Sequence, residues 1–584
     1  MGFLGSKRGL TPALDELARD AVVFTRAFSQ APITTVSHAT ILTGTFPPFH
    51  RVNAFGAPLP PGVPYLPQTL HDAGYRTAAF VGSIILDPRS GTAPGFERGF
   101  ESYDAGFRLQ RPGEDRYHSV ERRGDEVAAR ALKWLAAAGS GPWFLWVHLF
   151  DAHDPYDPPA DLKRRFAAEP YDGEIASVDR LAGRLSQAAG PDSIVAIAAD
   201  HGEALGDHGE STHGVLLFDA VLQVPLMIRL PRRAAAGARV TTSVRLADVA
   251  PTLLEAAGLP VPPAMQGQSV MPLVGRSNRP PDDRPIYAET DYPRQAFGWS
   301  PLAAWRTDRF LLVRAPANEL YDTVADPEAS HNLASTRARV VDGMSAELER
   351  FIKTSGSGGS EGSIPRRVDP AVAERLAALG YVSGSSAPAG SGVNPRDRIA
   401  VANALHDAVI AIEEGAFQRA IPLLERVTAS DPGIPLAQLQ LGIARTRQRQ
   451  YARAIDPLTR AIALEPDQMI AHYQLGVALY ETGQLKPAAA QFEIVAAKMP
   501  DFADARYSLG SVYARTDRVS EALSELRAAI ALEPRHFRAN LLAGRILTLQ
   551  NRAAAALPYL RTAVDANPRS TEARAFLDEA LKKQ

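Results

Sequence analysis

The stretch SIVAIAADHGEALGDHGESTHG, residues 193–214, decides the reading of the N-terminal part of the chain. A β-branched run stops abruptly at Asp200 and His201, and more imidazoles follow at His208 and His213. Gly202 follows, and a glycine permits a sharp turn of the chain there. Other runs stop in the same way. WFLWVHLF (143–150) gives way to DAHDPYDPP with Asp151 and His153, and AVVFTRAF (21–28) leads to QAPITTVSHATILTG (30–44), with Thr34, Thr35, Ser37 and His38 at a loop-to-helix junction. RTAAFVG (76–82) and VPLMIRL (224–230) read as further strands, with helical patterns at 65–73 and 123–138 between them. That alternation predicts an α/β domain, a mostly parallel sheet flanked by helices. Ligands in such sheets bind beyond the carboxyl ends of strands. Hydroxyl, carboxylate and imidazole groups from three strand ends suit a divalent metal, zinc or manganese above all.

The C-terminal part is repetitive. Pro432, Pro466, Pro500, Pro534 and Pro568 stand 34 residues apart, and Gly442, Gly476, Gly510 and Gly544 keep that step, as do Ala420, Ala454, Ala488, Ala522 and Ala556. Small residues let paired helices approach closely, and each Pro ends a second helix. The pattern resembles the tetratricopeptide repeat. Five repeats start near Val401, Pro435, Met469, Ala503 and Phe537, with Ala408 in the first glycine position and a capping helix at 571–584. An all-α solenoid is expected, with a protein or peptide partner in its concave face and Gln438, His472, Arg506 and Asn540 as candidate contacts. The expected domains are 1–382, a flexible linker at 383–397, and 398–584. Gly/Ser-rich stretches at 354–363 and 383–392 flank one short predicted helix, DPAVAERLAALGYV.

Composition excludes several classes. The 584 residues carry 63 basic and 65 acidic side chains, which gives no global attraction for nucleic acid. Cysteine is absent, so thiolate nucleophiles, thiolate metal sites and disulfides are excluded. No apolar run is long enough to span a bilayer, and the first residues lack a signal-peptide core.

TTVSHATILTG, AADHGEALGDHGESTHG, AHDPYDPP and NELYDTVADPEASHNLA resemble the sulfatase branch of the alkaline phosphatase superfamily, from about Leu10 to Val382. The resemblance implies a metal-dependent ester hydrolase or transferase with Asp200, His201 and Thr34 on the metal, and calcium if the protein is sulfatase-like. Sulfatases place a Cys or Ser, converted to formylglycine, first in a motif ending in LTG. Alignment on ILTG puts Thr34 there, Val36 at the usual Pro and His38 at the usual Arg. Thr cannot become formylglycine, and GSIIL (82–86) replaces the family's Gly-Lys-x-His element. Thr34 instead resembles the threonine nucleophile of related phosphodiesterases and phosphoethanolamine transferases, which implies a phosphoester substrate. Two alternatives remain: a sulfuric ester hydrolase, and an inactive platform whose repeats bind partners.

In the same comparison His38 is an anion or leaving-group contact, and His153 and His213 resemble imidazoles beside the phosphate. His148 reads as a hydrogen-bonded core residue, His208 and Glu210 as surface loop residues. Asp151 is open between supporting His153 and binding a second metal. FGWS (297–300) resembles a family element without an assigned role. The superfamily's first strand ends in a metal-binding Asp, and this chain opens with MGFLGSKRGLTPALD, which resembles the sequence just downstream. Asp15 and Asp20 are poor substitutes. Either the start lies inside a longer reading frame, or a ligand and a strand have been lost; in the first case the resemblance implies an extracytoplasmic or periplasmic location.

Overall fold

The computed structural model describes residues 1–107, 120–274, 284–357 and 392–584. The helix expected around DPAVAERLAALGYV and most of both Gly/Ser-rich stretches lie outside the described residues. The described chain falls into two compact units, the first running through Asn403 and the second from Ala404 to Gln584.

In the first unit strands and helices alternate as expected, and strand pairing is mixed. β1 (Val22–Phe28) pairs antiparallel with β6 (Gln223–Arg229) and parallel with the short β7 (Arg239–Val240) and β8 (Val244–Arg245); β5 (Val195–Ala198) adds antiparallel to β6. A separate parallel sheet has the order β3 (Ser102–Asp104), β2 (Arg76–Val81), β4 (Trp143–His148). Among the described residues β4 pairs only with β2 and β5 only with β6.

The two-residue strand period sorts the core of β1. Val22 and Phe24 join Leu226 and Ile228 in one cluster, while Val23 and Met227 join Leu14 and Leu17 on the opposite face. Full burial of such side chains contributes about 1.5–3 kcal/mol each.

A third, antiparallel sheet follows, in the order β12 (Glu319–Asp322), β11 (Phe310–Arg314), β10 (Leu302–Arg306), β9 (Ile286–Thr290). The ELYD…NLA motif forms its corner, where Asn332 accepts from the Leu320 and Ala334 amides. Trp299 of FGWS is fully buried and stacked on Phe297. Asp15 accepts from the Phe3 amide and the Thr11 hydroxyl, and Asp20 pairs with Arg233. Asp15 serves the packing of the first residues.

Helices at Pro435–Arg447, Met469–Glu481, Ala503–Arg515 and Phe537–Leu549 start where the 34-residue step places them, each followed by a second helix. A Cβ at Gly442, Gly476 or Gly544 would lie 2.4, 2.6 or 2.5 Å from Leu458, Phe492 or Leu560, so glycine is required by close approach. The polar row expected to meet a partner is turned inward. Gln438 Nε2, Arg506 Nε and Asn540 Nδ2 donate to the carbonyls of Pro432, Pro500 and Pro534 at 3.1, 3.4 and 3.1 Å. His472 Nε2 meets the Pro466 carbonyl at 2.9 Å, and Arg574 repeats the contact on Pro568. Gln438, His472 and Asn540 are buried. A proline that ends a helix leaves its carbonyl short of a donor, and the side chain six residues on supplies one. These residues are therefore joints between repeats and not free concave contacts.

Candidate active site

The helix Thr34–Thr43 follows β1 and ends at Gly44, whose left-handed backbone (φ 62°) terminates it. Nine of its ten residues are buried. Thr40 and Thr43 donate to the carbonyls of Val36 and Ala39, four residues back, while the buried Thr35 hydroxyl has no hydrogen-bond partner. Thr34 begins the helix, beside the free amides of its first turn.

Thr34, Asp200 and His201 come together as the strand-end reading expects. Thr34 Oγ1 lies 3.2 Å from His201 Nε2, and His201 Nδ1 meets the Gly202 carbonyl at 3.0 Å. A carbonyl only accepts, so Nδ1 carries a hydrogen, and Nε2 faces the Thr34 hydroxyl. Asp200 Oδ2 stands 3.5 Å from His201 Nε2 and 3.4 Å from His38 Nδ1. Burial works to raise the Asp200 carboxyl, but His201 and His38 outweigh it and hold the group well below the usual carboxylate range. Ser37 Oγ donates to the Asp200 carbonyl at 2.6 Å, tying helix to strand end.

His38 faces Asp200 and the Thr34 carbonyl (2.9 Å), so it orients the carboxylate. His148 is a core residue, as expected. It is buried, accepts weakly from the Gly82 amide at 3.4 Å, and is pushed down to about 3 by that burial. His153 and His213 do meet: their Nε2 atoms are 3.0 Å apart, and the His213 ring centroid lies 4.2 Å from that of His201.

Gly202 departs from the expected reason for its presence. It sits at ordinary φ, and a Cβ there would lie 2.1 Å from the Ala220 carbonyl oxygen, so close approach fixes the residue. Asp151 packs against Gly124 at the start of the helix Gly124–Ala136, with its carboxyl raised to about 6 by burial. It lies against the first residue of that helix. His208 and Glu210, expected as surface loop residues, are built in. His208 stacks on Phe218 and reaches the Ala329 carbonyl at 3.1 Å. Glu210 is buried and accepts from the Val215 and Leu216 amides at 2.7 and 3.2 Å, fixing the loop that carries His213.

Two carboxylates beside the site were given no role by the sequence. Glu174, in the helix Pro170–Ala189, accepts from the Ala152 and Asp157 amides, both at 2.7 Å, and so holds the loop bearing His153. Glu203 is buried beside the Tyr156 hydroxyl and the Asp154 backbone. Burial first, then the Asp154 charge, raises its carboxyl well above the ordinary range. Its position inside DHGE was the available signal.

The Sulfatase family model matches residues 1–259, and the model for the C-terminal part of N-sulphoglucosamine sulphohydrolase matches 206–354. Tetratricopeptide-repeat matches cover 408–469, 439–493, 473–526 and 517–571. Among similar proteins, the uncharacterized sulfatase YidJ of Escherichia coli is 23% identical over 429 residues, 60% of this chain and 84% of its own. The ulvan-active sulfatase of Formosa agariphila is 23% identical over 378 residues, 57% of this chain and 74% of its own. Among solved structures, the phosphonate monoester hydrolase of Agrobacterium radiobacter aligns with a TM-score of 0.50 at 23% identity, covering 63% of this chain and 97% of that one. A putative sulfatase YidJ from Bacteroides fragilis aligns with a TM-score of 0.51 at 18% identity, covering 61% and 93%. At these identities the structures speak to the fold.

Proposed function

We propose, for a chain that belongs to the sulfatase family and continues into tetratricopeptide repeats, that Thr34 is the nucleophile of a metal-dependent phosphoester hydrolase or transferase. The observation that carries this reading is the Thr34 hydroxyl at a helix N-terminus, 3.2 Å from His201 Nε2, with Asp200 Oδ2 3.5 Å from the same nitrogen. Thr34 Oγ1 gives its proton to solvent and forms the new bond to phosphorus, the ester oxygen leaves with the bond's electron pair and takes a proton from solvent, and water or an acceptor hydroxyl then releases the phosphoryl group from Thr34. The helix's first amides face developing negative charge. His38 and Ser37 hold Asp200 in place from two sides.

A divalent metal fits the donors present. Asp200 Oδ2 is buried without a hydrogen bond, and it converges with His201 Nε2 and Thr34 Oγ1. These three atoms would hold the ion. When bound it supplies Lewis acidity, lowering the hydroxyl pKa and drawing charge from the transferring group. The imidazole favours zinc or manganese over the calcium usual in sulfatases.

Sulfate-ester hydrolysis is the second reading, favoured by relatives named as sulfatases. Parallel turnover of an aryl phosphate, an aryl phosphonate and an aryl sulfate by wild type and Thr34→Ala separates the two. The expected result is phosphorus-ester turnover that Thr34→Ala loses; full activity of that variant would end the nucleophile assignment. For the repeat unit, the tetratricopeptide fold supports a protein partner.

A further inference from the structure

We propose that residues 393–403, the stretch that leads into the first repeat, form a strap that holds the loop 204–212 from outside. Asn403 and Arg396 are then positioning residues for the candidate active site. The loop is built so that it needs a hold. The Ala204 amide closes its base on the Thr212 carbonyl at 2.6 Å, and the residues flanking that base are Glu203 and His213, with Glu203 Oε1 4.0 Å from His213 Nε2. Four of the residues 205–209 have left-handed backbone: Leu205 (φ 52°), Gly206 (φ 95°), His208 (φ 50°) and Gly209 (φ 80°). Glycine takes that conformation freely. Leucine and histidine are strained by it and keep it only where surrounding structure fixes them. The Leu205 side chain is 54% exposed, so it does not anchor the loop itself.

The strap supplies two holds. The first is Asn403, whose Nδ2 donates to the Gly209 carbonyl at 2.7 Å while its Oδ1 accepts from the Ser211 amide at 3.1 Å. One carboxamide thus serves an acceptor and a donor two residues apart, as a neighbouring strand would. Ile399, four residues earlier in the helix Ile399–Glu413 and so on the same face, lies against Gly209. A Cβ on Gly209 would stand 3.2 Å from Ile399 Cγ2.

The second hold is Arg396. Its Nη1 donates to Oε2 of the buried Glu319 at 2.7 Å and to the Tyr321 hydroxyl. Its guanidinium stands 5.6 Å from the centroid of Phe218, and Phe218 stacks on His208 with centroids 3.5 Å apart. The strained His208 is therefore backed by a ring that Arg396 backs in turn. Upstream, the Val393 carbonyl accepts from the Ser300 amide at 3.1 Å, so the end of FGWS moors the start of the strap. All of these contacts lie within the first unit, whose last residue is Asn403.

The test is hydrogen–deuterium exchange of the full chain, read by mass spectrometry in peptides covering 204–216. Asn403→Ala removes both carboxamide bonds, and alanine favours a helix interior more than asparagine does, so the strap's own helix is not weakened. The expected result is about tenfold faster exchange in those peptides, the effect of losing two hydrogen bonds. The strand Arg76–Val81 and the helices Pro435–Arg447 and Phe537–Leu549 should exchange as in wild type. Asn403→Gln keeps the carboxamide and should recover part of the protection, while Arg398→Ala, at an exposed neighbour, should match wild type. In turnover of an aryl phosphate, Asn403→Ala should lower kcat by roughly tenfold and change KM less, with partial recovery in Asn403→Gln. This kinetic arm rests on the ester-cleavage reading, and the exchange arm does not. Wild-type exchange at 204–216 in folded Asn403→Ala, or acceleration spread evenly over the chain, would overturn the strap. Faster loop exchange with an unchanged kcat would overturn the positioning role. Faster loop exchange in a protein whose wild type cleaves no ester would sustain the strap and count against the ester-cleavage reading alone.

Discussion

Replacing Gly202 by Ala is expected to cripple the hydrolase without unfolding the chain. The new Cβ would stand 2.1 Å from the Ala220 carbonyl oxygen, where ordinary contact begins near 3.4 Å, a shortfall of 1.3 Å. The obstacle is backbone, so no side-chain rotation relieves it. The Gly202 amide is also bonded to the Val221 carbonyl at 2.8 Å, which pins the strand end to the short helix Asp219–Leu222 that carries Ala220. Relief must come from displacing Gly202, and with it His201 and Glu203 on either side. A misplacement of about 1 Å at a reacting geometry costs on the order of 100-fold in rate. Overpacking of this kind destabilises by about 1–3 kcal/mol, which a two-unit chain of this size survives. The assay is kcat/KM on an aryl phosphate or phosphonate, paired with near-ultraviolet circular dichroism and zinc content. Activity within threefold of wild type would refute the claim that close approach at Gly202 sets the position of His201.

Two further outcomes follow from the structure. Asn540→Leu and Gln438→Leu remove a buried side-chain donor to the Pro534 and Pro432 carbonyls and should each destabilise the repeat unit by about 0.5–1.5 kcal/mol, whereas Arg574→Ala, at an exposed joint, should cost less; thermal melts followed at 222 nm compare them, and equal melts would return the row to solvent. Burial, the largest cause in each case, raises Glu174 to about 8 and Glu210 and Glu289 to about 7, while it lowers His50 to about 3. From about pH 4.3 upward the unfolded chain has released the three carboxyl protons that the folded unit keeps to pH 7–8, so these groups make stability fall as pH rises. His50 acts oppositely, adding stability as pH rises from about 3 to 6.5 and nothing above. The urea midpoint should therefore decline between about pH 6.5 and 8, read by tryptophan fluorescence, since all five tryptophans lie in the first unit. A midpoint rising across that window would contradict the burial of these acids.

The strand ends that carry the chemistry were legible because an apolar run halting at Asp200, or passing through a turn to Thr34, is written in neighbouring residues. The 34-residue step was legible for the same reason, and four helix starts fall where it places them. What the sequence hid was long-range. Glu203 and His213 lie ten residues apart, but their meeting with His153 depends on Glu174, whose role exists only once a distant helix packs under the loop. Gly202 was rightly singled out for the wrong cause, since a close backbone neighbour leaves no local trace. The inward turn of Gln438, His472, Arg506 and Asn540 was misread because a buried polar side chain and an exposed one look alike until the carbonyl it serves is seen.

Those joints have a consequence for how the solenoid can change length. Each closure is made within seven consecutive residues, Pro432 to Gln438 or Pro534 to Asn540, and borrows nothing from a distant repeat. Recombination that removes or duplicates 34 residues in register therefore cuts between complete closures and restores one at the seam. The donor itself is interchangeable across amide, imidazole and guanidinium, as long as an N–H reaches back to the proline carbonyl. Copies can drift apart in sequence and still be spliced, so the unit of inheritance in this half of the molecule is the joint together with its helix pair.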